Sequence, residues 1–292
     1  MNKAKILIVG AGGQVGHALS IADTPYQLIA LTRNDLDITD RSLINKIIKK
    51  SVPDIIINAA AYTAVDKAED EKEMAFAINR DAVKYLADIC ADIQIPLLHI
   101  STDYVFDGNK SSAYLETDLV SPLGVYGKSK AEGETVLRQT LQQHFILRTS
   151  WVFSATGSNF VKTMLRLGEE RDELSIVADQ KGCPTSATSI ANVLLMIADK
   201  YLRGDSIEWG TYHFANQKES TWLEFARAIF AVSKKMNNSA SPKITAIKTS
   251  EYITPAKRPL NSVLDCSKLE RVFGGGSTQW QDELIKVVGD LK

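Results

Sequence analysis

The chain has 292 residues, 45% hydrophobic and 24% charged, with a formal net charge of −1. That balance fits an ordinary globular protein and excludes a disordered or collagen-like chain. It contains no block of Lys and Arg able to displace the counterions of a polyanion, which excludes nucleic acid as the main partner.

The opening ten residues lack the charged and apolar regions of a secretory leader, and no apolar run reaches the length of a bilayer, so a cytoplasmic protein without a membrane partner is expected. Cys90, Cys183 and Cys266 are widely spaced and odd in number. They indicate neither a disulfide framework nor a zinc cluster, and read as buried thiols.

Compact β-rich runs alternate with longer helical patterns through the first half, the signature of a parallel sheet with crossover helices. The pattern predicts strands at residues 4–9, 27–31, 54–58, 96–101 and 144–150, each an apolar run suited to a sheet buried on both faces. Between them, residues 74–91 and 128–143 read as helices. The expected class is α/β, with a Rossmann-like doubly wound parallel sheet. Residues 1–150 are expected to form a dinucleotide-binding domain to which the chain returns within 185–216. Residues 151–292 are expected to form mainly a smaller substrate-binding lobe, with helices near 159–171, 186–203, 221–235 and 280–291. Residues 234–242 read as a loop, and Pro255, Arg258 and Pro259 mark a second irregular segment.

The segment Gly10-Ala11-Gly12-Gly13-Gln14-Val15-Gly16 lies between the first strand and a helix. Glycines at 10, 13 and 16 permit an unusual φ, a close approach by a diphosphate and tight packing of helix on strand. The free N–H groups of the helix start, at Gln14 and Val15, then favour the negative charge. After the second strand, Thr32-Arg33-Asn34 offers no acidic side chain for the two ribose hydroxyls of NAD. Arg33 can instead pair with a 2′-phosphate, which predicts preference for NADP(H) with NAD(H) as a second cofactor; the alternative is an exposed surface cation. Asp37 can face the adenine edge or be a polar strand-end residue.

Among nine tyrosines only Tyr126 has a lysine four residues on, Lys130, and on a helix that spacing sets both on one face. A phenol with a pKa of about 10 is a poor proton source at neutral pH, and an adjacent ammonium favours the phenolate. Upstream, Ser101-Thr102-Asp103-Tyr104-Val105-Phe106 follows a predicted parallel strand, where ligands meet a doubly wound sheet. Thr102 can donate to a carbonyl oxygen while Tyr126 delivers the proton and Lys130 holds the cofactor ribose; the alternative for Thr102 is a helix or turn cap.

These segments, with Asn58-Ala59-Ala60-Ala61-Tyr62-Thr63 and Tyr126-Gly127-Lys128-Ser129-Lys130, resemble the extended short-chain dehydrogenase/reductase family. More narrowly, the chain resembles the dTDP-4-dehydrorhamnose reductase family over nearly its whole length. That likeness is carried by Ala61-Tyr62-Thr63-Ala64-Val65-Asp66-Lys67-Ala68-Glu69, the segment from Ser101 to Gly108, Arg148-Thr149-Ser150-Trp151, Asp179-Gln180-Lys181-Gly182-Cys183-Pro184-Thr185 and Pro255-Ala256-Lys257-Arg258-Pro259. The resemblance implies NADPH-dependent reduction of dTDP-4-dehydro-β-L-rhamnose to dTDP-β-L-rhamnose, the last step in making that sugar donor, with Thr102, Tyr126 and Lys130 catalytic. It implies further cofactor contacts from Ala59, Ala60 and Tyr62. Val65, Asp103, Tyr104 and Trp151 would border the sugar, and Asn159 and Arg258 would reach the diphosphate of the dTDP-sugar. Core packing is the alternative for Trp151, and a solvated loop charge that for Arg258.

Some members of the family are dimers bridged by magnesium through acidic residues, one just after the glycine motif, where this chain has His17 and Ala18. No metal is expected here, and a homodimer stays open. Another nucleotide-sugar 4-ketoreductase is a competing expectation. So is a non-catalytic NADP-binding regulatory subunit similar to the β subunit of methionine adenosyltransferase.

Overall fold

The computed structural model describes residues 3–237 and 241–291. Strands β1 (Lys5–Val9), β2 (Gln27–Leu31), β3 (Ile55–Asn58), β4 (Leu97–Thr102) and β5 (His144–Thr149) form one sheet with the strand Gly210–His213. The order is Gly210–His213, β5, β4, β3, β1, β2, and every pairing is parallel.

The alternation of strand side chains feeds two cores. Ile6 and Ile8 of β1, with Ile55, Ile57, Leu98 and Phe145, face the helix Ala187–Leu202. Leu7 and Val9, with Ile56, Leu97 and Ile146, face the helices Arg41–Ser51 and Ala82–Ile93. Each such side chain, removed fully from water, contributes about 1.5–3 kcal/mol. β2 departs from the expected two-sided burial: it is the sheet edge, and its residues are half-buried or exposed.

Because β2 lies on one side of β1 and β3 on the other, the chain reverses direction there, and a crevice opens beyond the carboxyl ends of β1 and β3.

The helix expected at 74–91 is three pieces: Lys72–Phe76, a π-helical turn Ala77–Asp81 and Ala82–Ile93. The wider turn aims fully buried Asn79 inward, where its amide takes the Tyr62 N–H (2.9 Å) and donates to the Tyr62 carbonyl (3.1 Å) and Ser129 Oγ (2.9 Å). The helix expected at 128–143 spans Val125–Thr140 and so starts before Tyr126; Glu69 accepts the Val125 N–H at 2.8 Å and sets that start.

The helices Phe160–Glu170, Trp222–Asn237 and Trp280–Gly289 share a third core built on Phe153, Phe225 and Trp280. Beside it, Glu173–Val177 pairs in parallel with Lys243–Ile247. The segment expected as a loop from 234 is helical to Asn237, because Ser233 stays buried and Lys234 and Lys235 suit the negative end of a helix; residues 238–240 lie outside the described residues. Among the described residues no helix is long and apolar enough to cross a membrane.

Candidate active site

A cavity of about 770 Å³ lies outside the carboxyl ends of β1, β3 and β4. On one side is the glycine turn. Gly10 has φ +85°, and a Cβ there would stand 2.5 Å from the Ala60 amide nitrogen, so this position requires glycine. Gly13 starts the helix Gln14–Ser20 without any side-chain cap, and Gly10, Gly13, Gln14, Val15, Ala59 and Ala60 all line the cavity.

Arg33 and Asp37 line the cavity beyond β2. Asp37 accepts from the Thr39 N–H (2.9 Å) and hydroxyl (2.7 Å), which holds its carboxyl below the usual range. Among the described residues Arg33 makes no ion pair.

Thr102, Tyr126 and Lys130 meet on the opposite wall. Thr102 accepts from the Tyr104 N–H at 3.2 Å and donates to Asp103 Oδ1 at 3.0 Å, so the turn cap and a place in the cavity coincide in one residue. Burial pushes the Tyr126 phenol up to about 12, with the Thr102 hydroxyl pulling the other way. Burial brings Lys130 down to about 8. Its amine donates to the Ile100 carbonyl at 2.7 Å and lies 3.2 Å from His99 Nε2. The expected lowering of the phenol by Lys130 is therefore corrected for the free protein. Desolvation outweighs any cationic help, and Tyr126 is kept as an acid.

Val65, Asp103, Tyr104 and Trp151 continue the wall. Asp103 is buried with Oδ2 unpaired, and desolvation lifts its carboxyl to about 6. The Tyr104 ring meets Tyr126 edge-on, centroids 5.6 Å apart. Trp151 adopts a left-handed φ of 46° and lies flat on Trp222, centroids 3.6 Å apart.

Three expected contacts fall outside the lining. Tyr62 is pinned through its backbone by Asn79 and turns its ring outward, where its hydroxyl donates to Glu71 at 2.8 Å. Ala61 and Thr63 line the cavity in its place. Asn159 caps the helix Phe160–Glu170 and donates to Gln14 Oε1 at 2.9 Å. Arg258 is held by Asp66 at 2.7 Å. Among the described residues no group of three or more His, Cys, Asp or Glu could hold a metal ion. All three cysteines are free, Cys90 and Cys183 buried and Cys266 half-buried.

A family model described as RmlD substrate binding domain matches residues 4–292. A dTDP-4-dehydrorhamnose reductase of Aggregatibacter actinomycetemcomitans is 48% identical over 97% of this chain and 98% of its own length. The chain belongs to the dTDP-4-dehydrorhamnose reductase family. The family enzyme of Sinorhizobium fredii is 44% identical, over 98% of this chain and 97% of its own. Two solved dTDP-4-dehydrorhamnose reductases superpose with a TM-score of 0.90. That of Clostridium acetobutylicum is 37% identical and covers 98% of each chain. That of Bacillus anthracis, in complex with NADP, is 34% identical and covers 98% of this chain and 99% of its own.

Beside the residues expected of a dTDP-4-dehydrorhamnose reductase family member, the fold brings in two to which sequence reading gave no role. His99 of β4 and Asn58 of β3 are both fully buried, joined Nδ2 to Nδ1 at 3.1 Å. The available signals were a polar residue closing the apolar run of β3 and a histidine inside the buried strand β4.

Proposed function

We propose that this chain catalyses the NADPH-dependent reduction of dTDP-4-dehydro-β-L-rhamnose to dTDP-β-L-rhamnose, with NADH as a second reductant. The observation that carries the reading is the convergence of Thr102, Tyr126 and Lys130 on the cavity that also contains the glycine turn. The turn fits a dinucleotide, because the Gly13 position and the uncapped helix start present backbone rather than side chains to the cavity. The NADP complex of the Bacillus anthracis relative supports the same cofactor.

Gly10, Gly13, Gln14 and Val15 would hold the cofactor diphosphate and Arg33 the 2′-phosphate, with Asp37, Ala59, Ala60 and Lys130 along the nucleoside and ribose. When bound, the cofactor supplies the hydride that reduces the sugar carbonyl. Tyr126 holds the proton destined for the sugar oxygen, and its raised pKa keeps that proton in place at neutral pH. Thr102 supplies a second hydrogen bond to the same oxygen after its hydroxyl turns from Asp103. Val65, Asp103, Tyr104 and Trp151 wall the sugar. Arg258 would offer a diphosphate the guanidinium N–H groups that Asp66 and the Ala256 carbonyl do not take, and Asn159 would reach it by giving up one of its amide contacts to Gln14 and Ser154.

In this reading residues 1–150, with the segment that returns to the sheet, hold the cofactor, and most of 151–292 shapes the sugar side. Cytoplasmic residence and association into a homodimer belong to the same proposal. The test supplies purified protein with NADPH and dTDP-4-dehydrorhamnose, follows cofactor oxidation and identifies the product sugar by NMR. Formation of dTDP-β-L-rhamnose supports the reading; a C4 epimer as product, or no oxidation, overturns it.

A further inference from the structure

We propose that Asn58 and His99 fix the polarity of a buried hydrogen-bond chain that disfavours protonation of Lys130 in the free protein. The chain begins at a group with no choice. The Ala60 backbone N–H can only donate, and it donates to Asn58 Oδ1 at 3.0 Å. The amide of Asn58 is thereby oriented, with its NH2 toward His99 Nδ1 at 3.1 Å. That NH2 also can only donate, so Nδ1 carries the lone pair and a neutral imidazole carries its hydrogen on Nε2. Burial holds the His99 imidazole well below its ordinary pKa, which keeps it neutral.

Nε2 lies 3.2 Å from Lys130 Nζ. An ammonium has three hydrogens and no lone pair, so it would set N–H against N–H; an amine accepts the His99 hydrogen and still donates to the Ile100 carbonyl at 2.7 Å. Asn58 and His99 are fully buried. Protonation of Lys130 therefore breaks the chain at one link, with no bulk water to re-pair it. The lowered pKa of Lys130 agrees with this.

The other ionisable groups around the amine do not reverse the balance. Glu134, one turn along the same helix, draws the pKa of Lys130 upward. Its charge is shared with Arg148 of β5 and with Arg138, and it accepts from Ser101 of β4. Tyr126 on the same helix is held as the neutral phenol, and Asp103 beyond it acts on that phenol. Asn58 and His99 are positioning residues. The catalytic consequence, that the amine beside Tyr126 gives up its proton more readily than an ordinary lysine, rests on the reductase reading above. The polarity of the chain does not.

The experiment is NMR on the free protein, so its failure and a failure to reduce the sugar are separate results. The lysine 13Cε spectrum is titrated, with the Lys130 resonance identified by its loss in Lys130→Met. The expected midpoint is near 8, against about 10.4 for an ordinary lysine. In Asn58→Asp the carboxylate accepts from both Ala60 and His99, which forces the hydrogen onto Nδ1 and turns the Nε2 lone pair to Lys130. His99→Gln can turn its amide oxygen the same way without adding charge. Both should raise the midpoint by about one unit or more, a tenfold change in proton affinity, while NADPH still binds. A wild-type midpoint at the ordinary lysine value, or two variants that bind NADPH and leave the midpoint unmoved, overturns the proposal. The 15N spectrum of wild-type His99 decides independently of whether the variants fold: hydrogen on Nε2 supports the chain as described, and hydrogen on Nδ1 overturns it.

Discussion

Arg148 holds Glu134 with two donors on one edge of its guanidinium, Nε to Oε1 at 2.8 Å and Nη2 to Oε2 at 2.6 Å, with both side chains at most 2% exposed. The pair ties β5 to the helix that carries Tyr126 and Lys130. Burial alone would lift the Glu134 carboxyl, and the hydrogen bonds and charge of Arg148 outweigh it, so the carboxyl sits below its usual range. Arg148→Met leaves that carboxylate buried with a half-exposed Arg138, and should cost about 3–5 kcal/mol in urea unfolding at neutral pH. A group whose folded pKa is depressed stabilises above its unfolded value, about 4.3 for Glu, and loses that contribution as pH falls through the folded value. The wild-type advantage over Arg148→Met should therefore shrink in acid; an equal gap at pH 7 and pH 3 contradicts the ion-pair account.

Tyr126→Phe removes the phenol proton assigned to the sugar oxygen and leaves the Thr102 hydroxyl in place. Turnover with NADPH should fall by about 10²–10⁴-fold, with the NADPH dissociation constant unchanged by fluorescence titration. Because burial holds the phenol near 12, the wild-type rate should show no loss from phenol ionisation across the neutral range. Full turnover in the phenylalanine variant would remove Tyr126 from the mechanism.

Arg33 lines the cavity beyond β2 and is exposed, with no partner among the described residues to lose. A charge-assisted hydrogen bond to a 2′-phosphate contributes about 1.5–3 kcal/mol. Arg33→Ala should raise the KM for NADPH by roughly ten- to a hundredfold and leave that for NADH nearly unchanged. Equal effects on the two cofactors would return Arg33 to the surface.

Asp103 carries a pKa raised to about 6 by burial, so the folded protein binds its proton more tightly than the unfolded chain does. Stability from this group is present in acid and is lost as pH rises from about 4 to 6, by about 2–3 kcal/mol. Asp103→Asn should flatten that part of the pH dependence, read as the difference between variant and wild type in urea unfolding at pH 4 and pH 7. Parallel curves would mean that the carboxyl is satisfied by groups other than those described.

The sheet was legible because each of its first five strands is a short apolar run with a clear boundary. Gly210-Thr211-Tyr212-His213 has no such run; it becomes a strand only through pairing with β5, a tertiary effect. The π-helical turn was illegible for a similar reason, since nothing local marks Asn79 as the residue that must point inward. At the site, the glycine turn and the Thr102, Tyr126 and Lys130 set stand out by residue type and spacing. Tyr62 did not fall where expected, because the motif fixes the backbone next to Asn79 and leaves the ring outside. His99 escaped notice because a single histidine in a buried strand has no spacing to betray it.

The motif around Asp179–Thr185 has a structural meaning that spacing did not convey: it builds the slot for Trp151. Gln180 accepts the Trp222 indole N–H at 3.1 Å, and Trp222 stacks on one face of Trp151. A Cβ on Gly182 would run into the Trp151 indole. With Trp222 behind it and a left-handed φ already in its backbone, Trp151 has no free direction except into the cavity. Gly182→Ala should therefore cost about 1–3 kcal/mol of stability through overpacking. It should also raise the KM for the sugar nucleotide while leaving the NADPH dissociation constant unchanged. Steady-state kinetics beside cofactor titration separates the two sides of the cavity. If stability falls and neither constant moves, Trp151 belongs to the core of the second half and not to the sugar wall.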